Sequence, residues 1–199
     1  MAQDYPKPTG ALQRIVLASS SPRRARLLKL ITERFEQVPP RVDEGDPKTP
    51  EDLLLAARAK AQAVGERVEK AIVIAADTGV FVSGRHLGKP RDLDEARRML
   101  AALSGRKHTV ATGVCVLSRT GMEEELVSTR VKFFPLTPEE IDWYLGSEGV
   151  LDKAGAYGIQ GRAAAFVEGI EGDFYNVMGL PVSTVYRLLK RAGWRPEAP

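Results

Sequence analysis

Two adjacent arginines, Arg23 and Arg24, follow Ser21 and Pro22 directly after a short apolar run. Guanidinium groups donate hydrogen bonds in a forked geometry that phosphate oxygens accept, and the free N–H groups at a helix start also favour an anion. The segment therefore predicts a polyphosphate site. The alternative is plainer: Ser21 and Pro22 only begin a helix, and the arginines are solvated.

Asp77 and Thr78 follow residues 71–76, a continuously apolar and β-branched run that predicts a buried strand ending at Asp77. Ligands of open α/β sheets bind beyond the carboxyl ends of strands, so Asp77 is predicted to be a metal ligand or a general base. A turn residue is the alternative. Asp43 and Glu44 follow two prolines on a predicted loop, where most acidic pairs are only solvated.

Two glycine-containing segments carry further polar residues. In residues 84–90, glycines flank a bend that presents Lys89, which could neutralise phosphate or simply lie in a surface turn. The segment is not a P-loop, because its glycine spacing differs and no Ser or Thr follows the lysine. Residues 152–161 contain three glycines, which let a loop approach a ligand closely, and Gln160 offers a donor and an acceptor side by side.

Positive side chains outnumber carboxylates across these segments, which is the balance that a triphosphate with one divalent metal requires. The cations are Arg23, Arg24, Lys60, Lys89 and Lys153, and the carboxylates are Glu44 and Asp77. Neither histidine has another histidine or a cysteine at zinc-ligand spacing. Cys115 lies in an apolar strand pattern that is typical of an inert core thiol.

Composition limits the class of protein that carries these residues. The chain has 199 residues, 43% of them apolar and 28% charged, which excludes a disordered, fibrous or membrane-embedded protein. The formal net charge is only +3, so a nucleic-acid-binding or lipid-binding arm is not expected. The first ten residues lack the apolar core of a signal peptide, and a single cysteine fits a reducing compartment.

Strand-like and helix-like patterns alternate along the chain, which predicts an α/β fold with the polar segments at strand ends and loops. Apolar runs predict strands at 14–18 and 71–76 and a hairpin of 108–117 with 125–134. Capping residues and apolar periodicity predict the helices. They begin at Pro22, at Thr49 (running to about Val68), at Asp92 and at Thr137, and a last helix covers about 180–191.

Six segments in this order resemble the signature motifs of the Maf family of nucleoside triphosphate pyrophosphatases, over about residues 14–191. They are 17–24 (LASSSPRR), 76–78 (ADT), 87–90 (LGKP), 103–110 (LSGRKHTV), 152–161 (DKAGAYGIQG) and 176–181 (NVMGLP). The resemblance implies a two-lobed, mixed-sheet α/β fold of the inosine-triphosphatase-like (Maf/Ham1) kind and a homodimer located in the cytoplasm. It also implies hydrolysis of a nucleoside triphosphate to the monophosphate and pyrophosphate with a divalent cation, Mg²⁺ or Mn²⁺.

The resemblance assigns roles by position. Asp77 matches the family's proton acceptor, with Lys89 and Glu44 predicted beside it in catalysis and with Glu44 and Asp77 predicted to hold the metal. Residues predicted to bind the substrate are Arg23, Thr78 and Gln160 at the specificity positions, Arg24 and Lys60 elsewhere in the pocket and, from the cation-rich segments, Ser21 and Lys153.

The segment that ends at Gln160 resembles the subfamily acting on dTTP and UTP, whereas a subfamily acting on 7-methyl-GTP has Glu at that position. The sequence therefore predicts a pyrimidine nucleoside triphosphate pyrophosphatase that removes unwanted nucleotides from the cellular pool. It is expected to hydrolyse CTP to some extent as well. The alternative is a nucleotide-binding regulator of septum formation or cell division with little turnover. Residues 14–199 are expected to form a single domain, and 1–13 an extension outside it.

Overall fold

The computed structural model describes residues 13–42, 45 and 47–196. Its helices are α1 (Pro22–Leu28), α2 (Pro50–Gly65), α3 (Leu93–Leu103), α4 (Pro138–Leu145), α5 (Phe174–Met178) and α6 (Val182–Arg191). Its strands are β1 (Arg14–Leu17), β2 (Glu36–Gln37), β3 (Ala71–Val82), β4 (Arg85–Leu87), β5 (Lys107–Ser118), β6 (Gly121–Phe133) and β7 (Val167–Glu171). Short 3-10 helices cover Ala154–Ala156 and Arg162–Phe166.

The strands form one mixed sheet in the order β2-β1-β3-β5-β6-β7, and β4 pairs with β3. β1 is parallel to β2 and β3, whereas β3, β5, β6 and β7 pair in antiparallel fashion. The predicted α/β fold with a mixed sheet is therefore confirmed. None of the helices in the described part of the chain is long and apolar enough to cross a bilayer.

β3 continues past Asp77 to Val82, so the predicted end of this strand at Asp77 is wrong. β5 pairs with β3 on both sides of Asp77, and this antiparallel ladder keeps the strand extended. On the opposite edge, β1 pairs with only the first four residues of β3, and β4 begins to pair at Val80. Among the described residues, 75–79 therefore have a neighbouring strand on one edge alone.

The long strands β3 and β5 pass through two lobes. In the first lobe, α1, α2 and α6 cover the sheet around Ile74 and Val114, and in the second, α3 and α4 pack around Val80 and Val110. Large residues of the first core include Leu17, Leu28, Leu180, Leu188 and Trp194, and those of the second include Leu100, Phe133, Tyr144, Tyr157 and Phe166. Asp77 lies between the two cores, where neither fills the space.

Helix α2 lies directly against the sheet because Gly113 has no side chain. A Cβ atom at Gly113 would lie 2.5 Å from the carbonyl carbon of Leu53. Gly113 is also the residue of β5 that pairs with Asp77. The close approach therefore brings the second half of α2, which carries Lys60, over residues 75–79, the open stretch of β3.

His108 is buried at the centre of the second lobe, with its Nε2 atom 2.8 Å from the hydroxyl of Tyr157. It lies edge-on to Phe133, with the ring centroids 4.9 Å apart. Burial lowers the pKa of His108 to about 4. The folded chain thus keeps this imidazole neutral at pH values where the unfolded chain protonates it.

The free energy of unfolding should consequently decrease as the pH falls from about 6.5 to 4, by roughly 3 kcal/mol from His108. Replacement His108→Gln should remove this part of the pH dependence while leaving that of the carboxylates. Urea unfolding of both proteins at pH 7, 6, 5 and 4.5 measures the difference. Parallel pH profiles for the two proteins would contradict the prediction.

Candidate active site

A cleft of about 500 Å³ lies between the lobes, at the open stretch of β3. The predicted site residues that line it are Ser21, Arg23, Arg24, Lys60, Asp77, Thr78, Lys89, Lys153 and Gln160. Glu44 lies outside the described residues, although the adjoining Gly45 lines the cleft. The structure thus brings together all the predicted site residues that it describes, from segments more than a hundred residues apart.

Asp77 and Lys60 form a buried ion pair on one side of β3. The Lys60 ammonium donates to Oδ1 of Asp77 at 2.6 Å, and the two residues are 2% and 8% exposed. A charge inside a protein is tolerated when an opposite charge and hydrogen bonds compensate it. The pair therefore holds the carboxylate in one position at the base of the cleft.

Thr78 points to the other face of the sheet, because consecutive strand residues alternate in direction. Its hydroxyl lies 3.1 Å from Nη2 of Arg24 and 3.0 Å from the hydroxyl of Thr112. Arg24 also donates from Nε to the carbonyl of Gly179 at 2.9 Å. Gly179 ends α5 with a φ of 107°, a left-handed conformation that glycine adopts without strain. Arg24 is therefore held in a fixed place beside the cleft.

Helix α1 contributes side chains more than backbone N–H groups. Ser21 caps the helix as expected, since its Oγ accepts from the N–H of Arg24 at 3.4 Å. The helix has seven residues and begins with Pro22, which has no backbone N–H group to donate. Arg23 and Arg24 are both partly buried there, which makes the alternative of two merely solvated arginines wrong.

Asp152 is a cleft residue that the sequence analysis did not identify. Its carboxylate accepts from Nη1 of Arg23 and, at 2.8 Å, from the ammonium of Lys153. Burial raises the pKa of Asp152, but the hydrogen bonds from Lys153 and Arg23 outweigh it and lower the pKa to about 2. The two cations belong to helix α1 and to the 152–161 segment, so their shared carboxylate links these elements across the cleft.

Gln160 and Lys89 are exposed at the cleft. A Cβ atom at Gly158 would lie 3.3 Å from Nε2 of Gln160 and 3.0 Å from Cε of Lys153, so glycine at this position lets the two side chains lie close together. The N–H of Gly155 donates to the carbonyl of Gly88 at 3.0 Å, beside Lys89. The 152–161 segment is thereby attached to the turn that carries Lys89.

Positive charge dominates the described lining of the cleft. Its cations are Arg23, Arg24, Lys60, Lys89 and Lys153, and its carboxylates are Asp77 and Asp152. No group of three metal-binding side chains occurs among the described residues. Asp77 uses Oδ1 for Lys60, which leaves Oδ2 for a cation, and Mg²⁺ commonly takes one or two carboxylates with phosphate oxygens and water. The donor set therefore fits a metal that arrives with a phosphorylated substrate.

Comparison with known proteins finds one family model and several relatives that this chain resembles. Residues 14–192 match a family model described as Maf-like protein. The dTTP/UTP pyrophosphatase of Carboxydothermus hydrogenoformans is 49% identical over 185 residues, covering 91% of this chain and all of that protein. The protein of the same name from Anaeromyxobacter sp. (strain Fw109-5) is 50% identical over 189 residues, or 90% of each chain. The Ham1 protein of Staphylococcus aureus is 17% identical, with a TM-score of 0.43 over 61% of this chain and 72% of that one.

Substitution Lys60→Met should destabilise the fold by roughly 3 kcal/mol, because it leaves the Asp77 carboxylate buried without its cation. Adding Asp77→Leu should recover most of this loss, since two apolar side chains need no charge compensation. Urea unfolding of the wild type, of Lys60→Met, of Asp77→Leu and of the double variant gives the coupling free energy. A coupling close to zero would show that the two charges do not depend on each other.

Proposed function

The chain belongs to the Maf-like family, and from this we propose that it hydrolyses dTTP and UTP to the nucleoside monophosphate and pyrophosphate. Relatives named dTTP/UTP pyrophosphatase, identical at about half of the aligned positions, support the substrate class. The observation that carries the proposal is the cleft, where a carboxylate fixed by Lys60 lies among several cations. This is the arrangement that attack of water on a polyphosphate needs.

In the proposed reaction, water attacks the α-phosphorus while the bond from this phosphorus to the α–β bridging oxygen breaks. Asp77 accepts the proton of the attacking water, and pyrophosphate leaves with the electron pair of the broken bond. The Lys60 ammonium keeps the Asp77 carboxylate in place throughout. Arg24 and Lys89 bind phosphate oxygens, where their positive charge stabilises the charge that develops on the leaving group.

A divalent cation, Mg²⁺ or Mn²⁺, would neutralise charge on the phosphates when bound. We propose Asp77 as one ligand through Oδ2, and Glu44 as a second ligand and catalytic residue. The described residue next to Glu44 in sequence, Gly45, lines the cleft, and this supports the assignment of Glu44. Phosphate oxygens and water would complete the shell.

Base selectivity is assigned to Gln160. Uracil and thymine present an N–H donor between two carbonyl acceptors, and one carboxamide can accept from that N–H while donating to an adjacent oxygen. Gln160 is exposed at the cleft, so both groups can face a ligand. A rotated amide can also pair with cytosine, and CTP should therefore be a poorer substrate that is still turned over. Arg23 and Thr78 shape the same pocket in this assignment.

Three further features accompany this function. We propose that residues 14–199 act as a single domain, with 1–13 as an extension, which the family match over 14–192 supports. A homodimer is proposed from the family resemblance alone. A cytoplasmic location is proposed because the nucleoside triphosphates that would serve as substrates are found there.

The products formed from UTP in the presence of Mg²⁺ test the proposed activity. Pyrophosphate and UMP are expected in equal amounts, and separate colorimetric assays for pyrophosphate and orthophosphate distinguish the cleavage sites. Asp77→Asn keeps the side-chain volume and should lower kcat about 100-fold or more, because it removes the proton acceptor.

Asp142→Asn, an exposed carboxylate on α4, is the control and should keep full activity. Circular dichroism confirms that each variant is folded at the assay temperature. Orthophosphate with UDP as products would refute cleavage at the α-phosphorus. Tight binding of UTP without turnover would favour the nucleotide-binding regulator instead.

Substitution Gln160→Glu should lower the ratio of kcat/KM for UTP to that for GTP by about tenfold, because a carboxylate accepts but does not donate. The ratio is measured for UTP, dTTP, CTP and GTP. Gln62→Glu, at an exposed position of α2, makes the same chemical change away from the cleft and should leave the ratio unchanged. An unaltered ratio in the Gln160 variant would show that this side chain does not read the base.

A further inference from the structure

We propose that Asp152 determines the direction in which the triphosphate enters the cleft, by keeping phosphate away from Arg23 and Lys153. This inference rests on the proposed function. It explains why a carboxylate is present in a cleft that must bind a negatively charged triphosphate. It also revises the expectation that Arg23 and Lys153 bind phosphate. In this arrangement the uncharged base and ribose, and not the phosphates, face the side of the cleft formed by Arg23, Asp152 and Lys153.

The carboxylate of Asp152 occupies both cations at once. Its Oδ2 atom accepts from Nη1 of Arg23, and its Oδ1 atom accepts from the Lys153 ammonium at 2.8 Å. Nη2 of Arg23 donates to the backbone carbonyl of Asp152 at 3.1 Å, and Lys153 also donates to the carbonyl of Gly149. A phosphate could therefore bind these cations only by displacing hydrogen bonds that the protein already makes.

Exposure shows which charge an incoming ligand meets first. The side chain of Asp152 is 61% exposed, against 22% for Arg23 and 14% for Lys153. The negatively charged side chain is therefore the most exposed of the three. Because the pKa of Asp152 is lowered to about 2, the carboxylate stays ionised at every pH suitable for an assay. At short range this surface repels phosphate although the three side chains together carry a net charge of +1 (two cations and one carboxylate).

The neighbours of this group are suited to a base. Lys153 and Gln160 both approach Gly158, at 3.0 and 3.3 Å from the position of a Cβ atom, so the neutral carboxamide of Gln160 adjoins a cation that is already paired with Asp152. Lys89 differs, because its exposed ammonium has no partner among the described residues. Phosphates are consequently attracted to the cations outside the Asp152 group, which leaves the base beside Gln160.

Asp152→Asn tests the proposal by removing the charge with little change in volume. Arg23 and Lys153 should then accept phosphate, so UTP can also bind in the reverse direction, where it does not react. Such non-productive binding lowers kcat and KM by the same factor, here about tenfold, and leaves kcat/KM nearly constant. Loss of a merely structural contact would instead raise KM or lower kcat alone.

Inorganic pyrophosphate provides a second measurement that needs no turnover. Its Kd, measured by titration calorimetry, should fall about tenfold in Asp152→Asn, in line with new charge-assisted hydrogen bonds. Adding Arg23→Gln to this variant should cancel most of the gain. Asp142→Asn is the matched control, because Asp142 is also an exposed carboxylate paired with an arginine, Arg97, but lies outside the cleft lining.

The outcomes separate this inference from the proposed function. If the wild-type protein hydrolyses UTP and Asp152→Asn changes neither the Kd of pyrophosphate nor the kcat and KM values, Asp152 does not orient the substrate. If the wild-type protein hydrolyses no nucleotide, the proposed function fails, and the Kd of pyrophosphate still decides whether Asp152 excludes phosphate. A raised KM with unchanged kcat would overturn the inference in favour of a role in loop structure.

Discussion

The site depends on an imbalance in the pairing of strand β3. β5 pairs with one edge of this strand along nearly its whole length. On the other edge, the described residues place β1 first, no strand beside 75–79, and then β4. The ladder keeps the open stretch extended, so successive side chains point to opposite faces. Asp77 is thereby directed to Lys60 on α2, and Thr78 to Arg24 on α1. A strand paired beside 75–79 would fill the cleft. Without the pairing to β5, the side chains of Asp77 and Thr78 would not be held on opposite faces.

Two carboxylates in the described cleft are paired with cations in different surroundings. Asp77 and Lys60 are both buried, so their attraction is scarcely screened by salt, and the pair fixes the position of an oxygen atom. Asp152 is largely exposed and shares its charge between two cations, so its effect on a ligand weakens as ionic strength rises. Asp77 is thus suited to a reaction at a fixed position, and Asp152 to selecting the direction in which the ligand enters.

Local signals made much of the fold predictable from the sequence. Helix α3 begins where Asp92 accepts from the N–H of Glu95, and α4 begins with the reciprocal hydrogen bonds of Thr137 and Glu140. The strand end predicted at Asp77 failed because the register with β5 is a tertiary feature. Four short elements, β2, β4, β7 and α5, were missed for the same reason, since their few residues are ordered by neighbours. Asp152 escaped notice because Arg23 lies 129 residues away in sequence.

The continuity of β3 and β5 through both lobes limits how the protein can move. Many enzymes with two lobes close around a ligand by bending at a loop that joins separate bodies. Here the connection is a hydrogen-bonded ladder, and helix α2 is pressed against it at Gly113 with no room for another carbon atom. Changing the width of the cleft would require the sheet itself to twist. The ligand therefore meets a largely preorganised cavity, and adjustment falls to the loops at its rim.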